Sequence, residues 1–121
     1  MSVLVTGACG FIGTHVANSF SNPILCDVIE ADNVRSPDEI DFDIEKPDVV
    51  YHLGAISSTT ETNTYEIAQN NISFSCFLLE ECVKHNVPFI YASSASVYGT
   101  GKHGFKENAP TSPINYYAIS K

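Results

Sequence analysis

Apolar residues in this chain fall into short continuous runs that alternate with stretches of helical spacing. Val3 to Val5 run directly into "TGACGFIG", a pattern that predicts a buried strand, a glycine turn and then a helix. "PILCDVI" is a second apolar run, with Asp27 near its end. "SPDEIDFDIEK" opens with Ser36, Pro37 and Glu39, which supply an N-cap, a proline at the first helical position and a capping-box glutamate; a short helix is expected from about 37 to 46. "DVVYHLG" predicts another buried strand ending near Gly54. The longest helix should run from about 64 to 86. Its predicted buried stripe is Ala68, Ile72, Ser75, Leu79 and Cys82, widened by Leu78 and Val83, with Asn86 and Pro88 closing it. "VPFIYASS" is a further strand, and the stretch from Gly99 to Pro113 has loop composition.

Strands that are apolar throughout and alternate with helices indicate a parallel sheet covered on both faces. Right-handed crossovers make this an α/β, Rossmann-type, doubly wound sheet. A length of 121 residues allows one domain, 1–121, without internal repeats.

Composition narrows the function. Fourteen acidic residues against six basic ones give a net charge of −8, which disfavours nucleic acid and anionic membrane as partners. Dinucleotides stay open, because backbone N–H groups can hold phosphates without side-chain charge. No apolar run approaches the roughly 20 residues that a membrane span requires. Cys9, Cys26, Cys76 and Cys82 form no C-x-x-C pair and no signal peptide is visible, so free thiols in the cytoplasm are expected. Cys82 and His85 have the spacing of a metal pair but no two further ligands nearby; Cys82 reads as a core position, and no metal is expected.

The chemistry starts in the first turn. Gly7 permits a tight turn, Gly10 lets the backbone approach a pyrophosphate, and Gly13 lets the helix pack closely on the sheet. No Lys-Ser/Thr follows, which excludes a Walker loop. Asp27, near the end of the second strand, can accept hydrogen bonds from ribose hydroxyls and would repel a 2′-phosphate, so NAD is favoured over NADP; the bland alternative is an exposed strand-end acid. Ser93, Ser94 and Ser96 end the last strand, where α/β sheets bind ligands, although turn chemistry would explain them equally. Tyr117 and Lys121 are four apart and would share one helix face, a pairing suited to proton transfer.

T-G-x-x-G-x-x-G at 6–13, "HLGA" at 52–55, "NNIS" at 70–73, "SSASVYG" at 93–99 and "YYAISK" at 116–121 together resemble the extended short-chain dehydrogenase/reductases, the nucleotide-sugar epimerases and dehydratases. The resemblance spans the whole chain. It implies that Tyr117 is the catalytic acid/base and that Lys121 holds the nicotinamide ribose and lowers the tyrosine pKa. It further implies that Ser94 hydrogen-bonds the substrate oxygen. Phe11 and Ile12 would flank the pyrophosphate, Leu53, Gly54 and Ala55 would line the cofactor, and Asn70 would lie near it, with Asn71 the other candidate for that position. Ala95 and Ser96 stand where the family's dehydratases carry an acid pair, which leaves epimerase or reductase chemistry. "SSTTE", "NN" and "PFIYASSASVYG" look like the branch that epimerises an ADP-linked heptose. That branch carries an Asp-Asn pair and a lysine suited to NADP, whereas Asp27 here is followed by Val28 and Ile29.

By this resemblance the chain is the N-terminal NAD-binding part of an epimerase, truncated after about five strands and lacking a substrate domain. Its partner would be a nucleotide sugar, with a homo-oligomer or a completing chain as further partners. The rival reading is a non-catalytic dinucleotide-binding module or a subunit completed by another chain. A five-residue helix cannot support itself, so Tyr117–Lys121 is expected to fray. The last strand is expected to be left as an apolar edge.

Overall fold

The computed structural model describes residues 1–121, which divide into two compact units. The first unit comprises residues 1–54 and 74–92. It contains β1 (Val3–Thr6), α1 (Phe11–Ala17), β2 (Ile24–Cys26), β3 (Val34–Arg35), α2 (Phe42–Glu45), β4 (Val49–His52), α4 (Phe74–His85) and β5 (Phe89–Tyr91). The five strands form one sheet in the order β3-β2-β1-β4-β5, and every neighbouring pair is parallel. The chain runs outward from β1 through β2 to β3 and then crosses back to β4 on the other side of β1, so the strand order reverses between β1 and β4. Ligands of such sheets bind outside the carboxyl ends of the strands at this reversal.

Alternation along β1 feeds two cores. Leu4 joins Cys26, Ile40, Phe42, Val50, Leu78 and Cys82 on one face, while Val3 and Val5 join Ala8 and Ala17 on the other. Helices α2 and α4 contribute to the first core and α1 to the second, as a doubly wound sheet requires. Cys82 is a core residue, and burial pushes its thiol up to about 11. β5 is an edge strand as expected, with Ile90 partly exposed.

The second unit comprises residues 55–73 and 93–121. It contains α3 (Thr64–Ile67), a π-helical segment (Ala68–Ser73), a 3₁₀ turn (Ala95–Tyr98) and α5 (Tyr116–Ser120). Its buried residues include Ile67, Asn71, Ala118 and Ser120.

Several expectations need correction. The helix expected over 37–46 is two pieces. The capping box forms, with Ser36 N–H donating to Glu39 at 2.7 Å, but it starts only a 3₁₀ turn, Pro37–Glu39. Ile40 leaves that turn to enter the core, and Asp41 starts α2 afresh by accepting from Asp43 N–H at 2.9 Å. β3, only two residues long, has no apolar run to announce it. The long helical stretch has the expected extent and ends at Asn86 in a left-handed conformation. Its buried positions are Ile67, Asn71, Leu78 and Cys82, however, and Ile72, Leu79 and Val83 face outward. The buried face lies one residue earlier than the expected Ala68, Ile72 and Leu79, before, within and after the π segment, and coincides with the expected one at Cys82.

The last correction concerns residues 116–121, where Tyr116–Ser120 form the helix α5. Asn115 caps α5 by accepting from Ala118 N–H at 2.7 Å, Ala118 is buried, and Ser120 is hydrogen-bonded to Asn71 at 2.9 Å. Tertiary contacts supply what a short helix lacks alone.

The register of α4 can be tested directly. Leu78→Ala should lower the unfolding free energy by about 2–5 kcal/mol, whereas Leu79→Ala should cost less than about 1 kcal/mol. Urea denaturation of both variants checks this, and equal losses would refute the assigned face.

Candidate functional site

β1 delivers the chain into Gly7, whose φ of 68° lies in the left-handed region that suits glycine. A Cβ on Gly7 would lie 2.7 Å from both Cα and N of Gly54, beyond the end of β4. Gly10 is the extended N-cap of α1 and donates its N–H to the Gly7 carbonyl at 3.0 Å. Gly13 is buried, and a Cβ there would collide with that same carbonyl. The tight turn at Gly7 and the close packing at Gly13 are therefore steric requirements, whereas a Cβ on Gly10 would meet only the Gly7 carbonyl, at 3.3 Å. As at any helix start, the leading amides of α1, from Phe11, Ile12 and Gly13, lack intrahelical acceptors. The side chains of Phe11 and Ile12 are 82% and 62% exposed and contribute to neither core.

Asp27 follows β2 directly and faces this loop. One carboxylate oxygen accepts from Cys9 N–H at 2.8 Å and the other from Ile29 N–H at 3.2 Å. A carboxylate has about four acceptor positions, so about two remain for hydroxyl donors. Burial, together with the adjacent Asp27 charge, raises the pKa of the Cys9 thiol. Arg35 is backbone-paired to this strand end, its carbonyl accepting from Asp27 N–H at 3.0 Å, but its guanidinium is engaged by Glu45 at 3.0 Å. Leu53 and Gly54, beyond the end of β4, both donate N–H to Thr6 Oγ1 at 3.1 Å. This arrangement fits a dinucleotide: a backbone cradle for phosphate, an acid with spare acceptor positions for ribose, and no uncommitted cation beside that acid.

The remaining predicted residues lie in the second unit. Ala55 begins it and is partly buried. Ser94 caps the 3₁₀ turn, its hydroxyl accepting from Ser96 N–H at 3.2 Å and lying 2.9 Å from the Ser96 hydroxyl. Tyr117 is in the first turn of α5 and Lys121 is its C-cap; both are partly buried. Burial lowers the Lys121 pKa below the usual lysine value.

Asn70 and Asn71 behave differently. Asn70 donates to the backbone carbonyl of Glu66 at 2.9 Å and to its carboxylate at 3.2 Å, a local contact on an exposed helix face. Asn71 is buried. Its Oδ1 accepts from Ile56 N–H at 2.7 Å, and its Nδ2 donates to the Ile56 carbonyl at 3.0 Å and to Ser120 Oγ at 2.9 Å. Ser120 in turn donates to the Tyr117 carbonyl at 2.7 Å. Asn71 thus joins the segment after β4 to the helix that carries Tyr117 and Lys121. The adjacent asparagines in the sequence flagged the position, but only burial distinguishes the two.

A family model described as "NAD dependent epimerase/dehydratase family" matches residues 3–121. The chain is 34% identical to the ADP-L-glycero-D-manno-heptose-6-epimerase of Pseudomonas aeruginosa, an alignment that covers 100% of this chain and 43% of that protein. Among solved structures, it is similar to MoeE5 in complex with UDP-glucose and NAD, with a TM-score of 0.83, 29% identity, and coverage of 99% of this chain and 45% of that one. It is also similar to UDP-glucuronic acid 4-epimerase from Bacillus cereus in complex with NAD, with a TM-score of 0.79, 27% identity, and coverage of 100% and 49%. The chain spans less than half the length of the curated relatives it matches.

Asn71→Ala removes the partner of two backbone groups and should cost about 1–3 kcal/mol, while Asn70→Ala should cost less than about 0.5 kcal/mol. Urea denaturation, with amide exchange at Ala118 as the local readout, checks this; faster exchange in the Asn70 variant alone would reverse the assignment.

Proposed function

The chain belongs to the NAD dependent epimerase/dehydratase family, and from that premise we propose that it is the dinucleotide-binding, proton-transferring part of a nucleotide-sugar epimerase. Gly7, Gly10 and Gly13, with Phe11 and Ile12, would hold the pyrophosphate of NAD. Asp27 would take the adenosine ribose, and Leu53, Gly54 and Ala55 would line the cofactor. NAD, when bound, supplies the hydride acceptor and then the donor. Tyr117, as phenolate, takes the proton of the sugar hydroxyl when the carbon is oxidised, and returns it after the keto sugar has presented its other face. Lys121 would hold the nicotinamide ribose, and Ser94 would hydrogen-bond the reacting oxygen. We assign the asparagine role to Asn71, which positions α5, and leave Asn70 with a local one.

The observation that carries this reading over a non-catalytic dinucleotide binder is the care taken over α5. Asn115, Asn71 and Ser120 together hold a short helix whose functional content is Tyr117 and Lys121. A pure binder needs only the glycine cradle and Asp27. Residues 93–121 also carry three lysines against one glutamate in an otherwise acidic chain, which suits a substrate with a pyrophosphate. An ADP-linked heptose is the first substrate to test, given the relatives' names. The four free thiols fit a reducing cytoplasm.

Calorimetric titration should show NAD binding at least about tenfold more tightly than NADP, and Asp27→Asn weakening NAD by about tenfold through loss of charge-assisted hydrogen bonds. Preference for NADP, or failure to bind either, would overturn the cofactor assignment. The 121-residue chain alone should bind NAD without epimerising ADP-glycero-manno-heptose. Turnover by the pure chain would show that it is catalytically sufficient.

A further inference from the structure

The strongest unassigned feature is a buried hydrogen-bond chain through Thr6, His52 and Ser75, all in the first unit. Thr6 ends β1, His52 ends β4, and the strand register sets them opposite each other. Both are 1% exposed. Thr6 Oγ1 lies 2.6 Å from His52 Nδ1, and His52 Nε2 lies 2.6 Å from Ser75 Oγ on α4. The imidazole ring packs against Phe74, Phe89 and Tyr91, with ring centroids 5.7–5.8 Å away.

Counting protons settles the direction of this chain. A hydroxyl has one proton to donate and two lone pairs to accept with. Both lone pairs of Thr6 Oγ1 are taken, by the N–H groups of Leu53 and Gly54 at 3.1 Å each. The Thr6 proton must therefore point at His52 Nδ1, which must be bare. His52 is then the neutral Nε2–H tautomer and donates to Ser75. A proton on Nδ1 would oppose the Thr6 proton, and one of the hydroxyl's bonds to the strand-end amides would have to break.

Those two amides belong to the turn that presses Gly54 onto Gly7. A Cβ placed on Gly54 would lie 3.0 Å from Gly7 N and 3.2 Å from Thr6 Oγ1, so the hydroxyl sits inside that contact. We propose that His52 is a positioning residue: a fixed-tautomer acceptor that orients the Thr6 hydroxyl and so holds the Leu53–Gly54 turn against the glycine loop. Its consequence for NAD rests on the functional reading above; the hydrogen-bond assignment does not.

The test uses the full chain labelled with ¹⁵N. Long-range ¹H–¹⁵N correlation at neutral pH should report His52 with Nδ1 bare and Nε2 protonated; an Nδ1–H tautomer or an imidazolium would overturn the proposal. His52→Asn places an amide oxygen near the former Nδ1 position and should keep slow amide exchange at Leu53 and Gly54 and NAD affinity within about threefold. His52→Leu and Thr6→Val should speed exchange at those two amides and weaken NAD by about tenfold, the scale expected for unsatisfied buried groups. Parent-like exchange in His52→Leu would overturn the positioning role even if the tautomer is as stated. If the parent shows the tautomer and the protected amides but binds no NAD, the hydrogen-bond assignment stands and the dinucleotide reading falls.

Discussion

The hydroxyl of Thr6 ties together the ends of the two central strands, and much of the architecture depends on that tie. β1 is the strand from which the sheet grows in both directions, and it supplies Leu4 to one core and Val3 and Val5 to the other. Where it meets β4, backbone must approach backbone more closely than any side chain permits. Gly7 and Gly54 meet that requirement sterically, and Thr6 meets it electrostatically by collecting two amides that would otherwise be stranded at the strand end. The site at the carboxyl end of the sheet is thus a consequence of how its core strands terminate.

Much of this could be read from the sequence because it is local. Gly7 and Gly13 follow an apolar strand, and the tight turn and close packing expected of them from spacing are present; Asp27 closes the next strand and faces the loop. The capping box at Ser36 and Glu39 was equally legible and does form. What the spacing could not show was that Ile40 is worth more in the core than in the helix. The stripe on the long helical stretch was misplaced by one residue because Ala68, Ile72 and Leu79 recur with the same spacing as Ile67, Asn71 and Leu78, and spacing alone gives no reason to put an asparagine inside. The stability of α5 was hidden for a different reason. Its support comes from Asn71, 49 residues away in sequence, and a nucleation argument confined to residues 116–121 cannot see that partner. Similarly, "HLGA" marked a strand end, but the pairing of His52 with Thr6 exists only once β1 and β4 are in register.

The two units hold their contents by different physics. The first relies mainly on apolar burial on both sides of a sheet, a force without direction that tolerates repacking, with the Thr6–His52–Ser75 chain as its directional element. The second buries asparagine and serine as well as isoleucine and alanine, and its geometry is set by directional bonds. Directional bonds suit the fixed presentation of Tyr117 and Lys121 that the proposed function requires, at the cost of tolerating few replacements.

Asn71 carries this to a limit. Its carboxamide accepts from the N–H and donates to the carbonyl of the same residue, Ile56, as a neighbouring peptide group would, and it donates once more to Ser120. Chemical ageing by deamidation would change one atom of this group, turning the NH₂ into an oxygen. The resulting aspartate would set oxygen against the Ile56 carbonyl and bury a charge. At Asn70, one position earlier and held only by Glu66, the same reaction would leave the fold intact. Two adjacent, identical side chains therefore differ in how far the fold depends on the identity of one nitrogen atom.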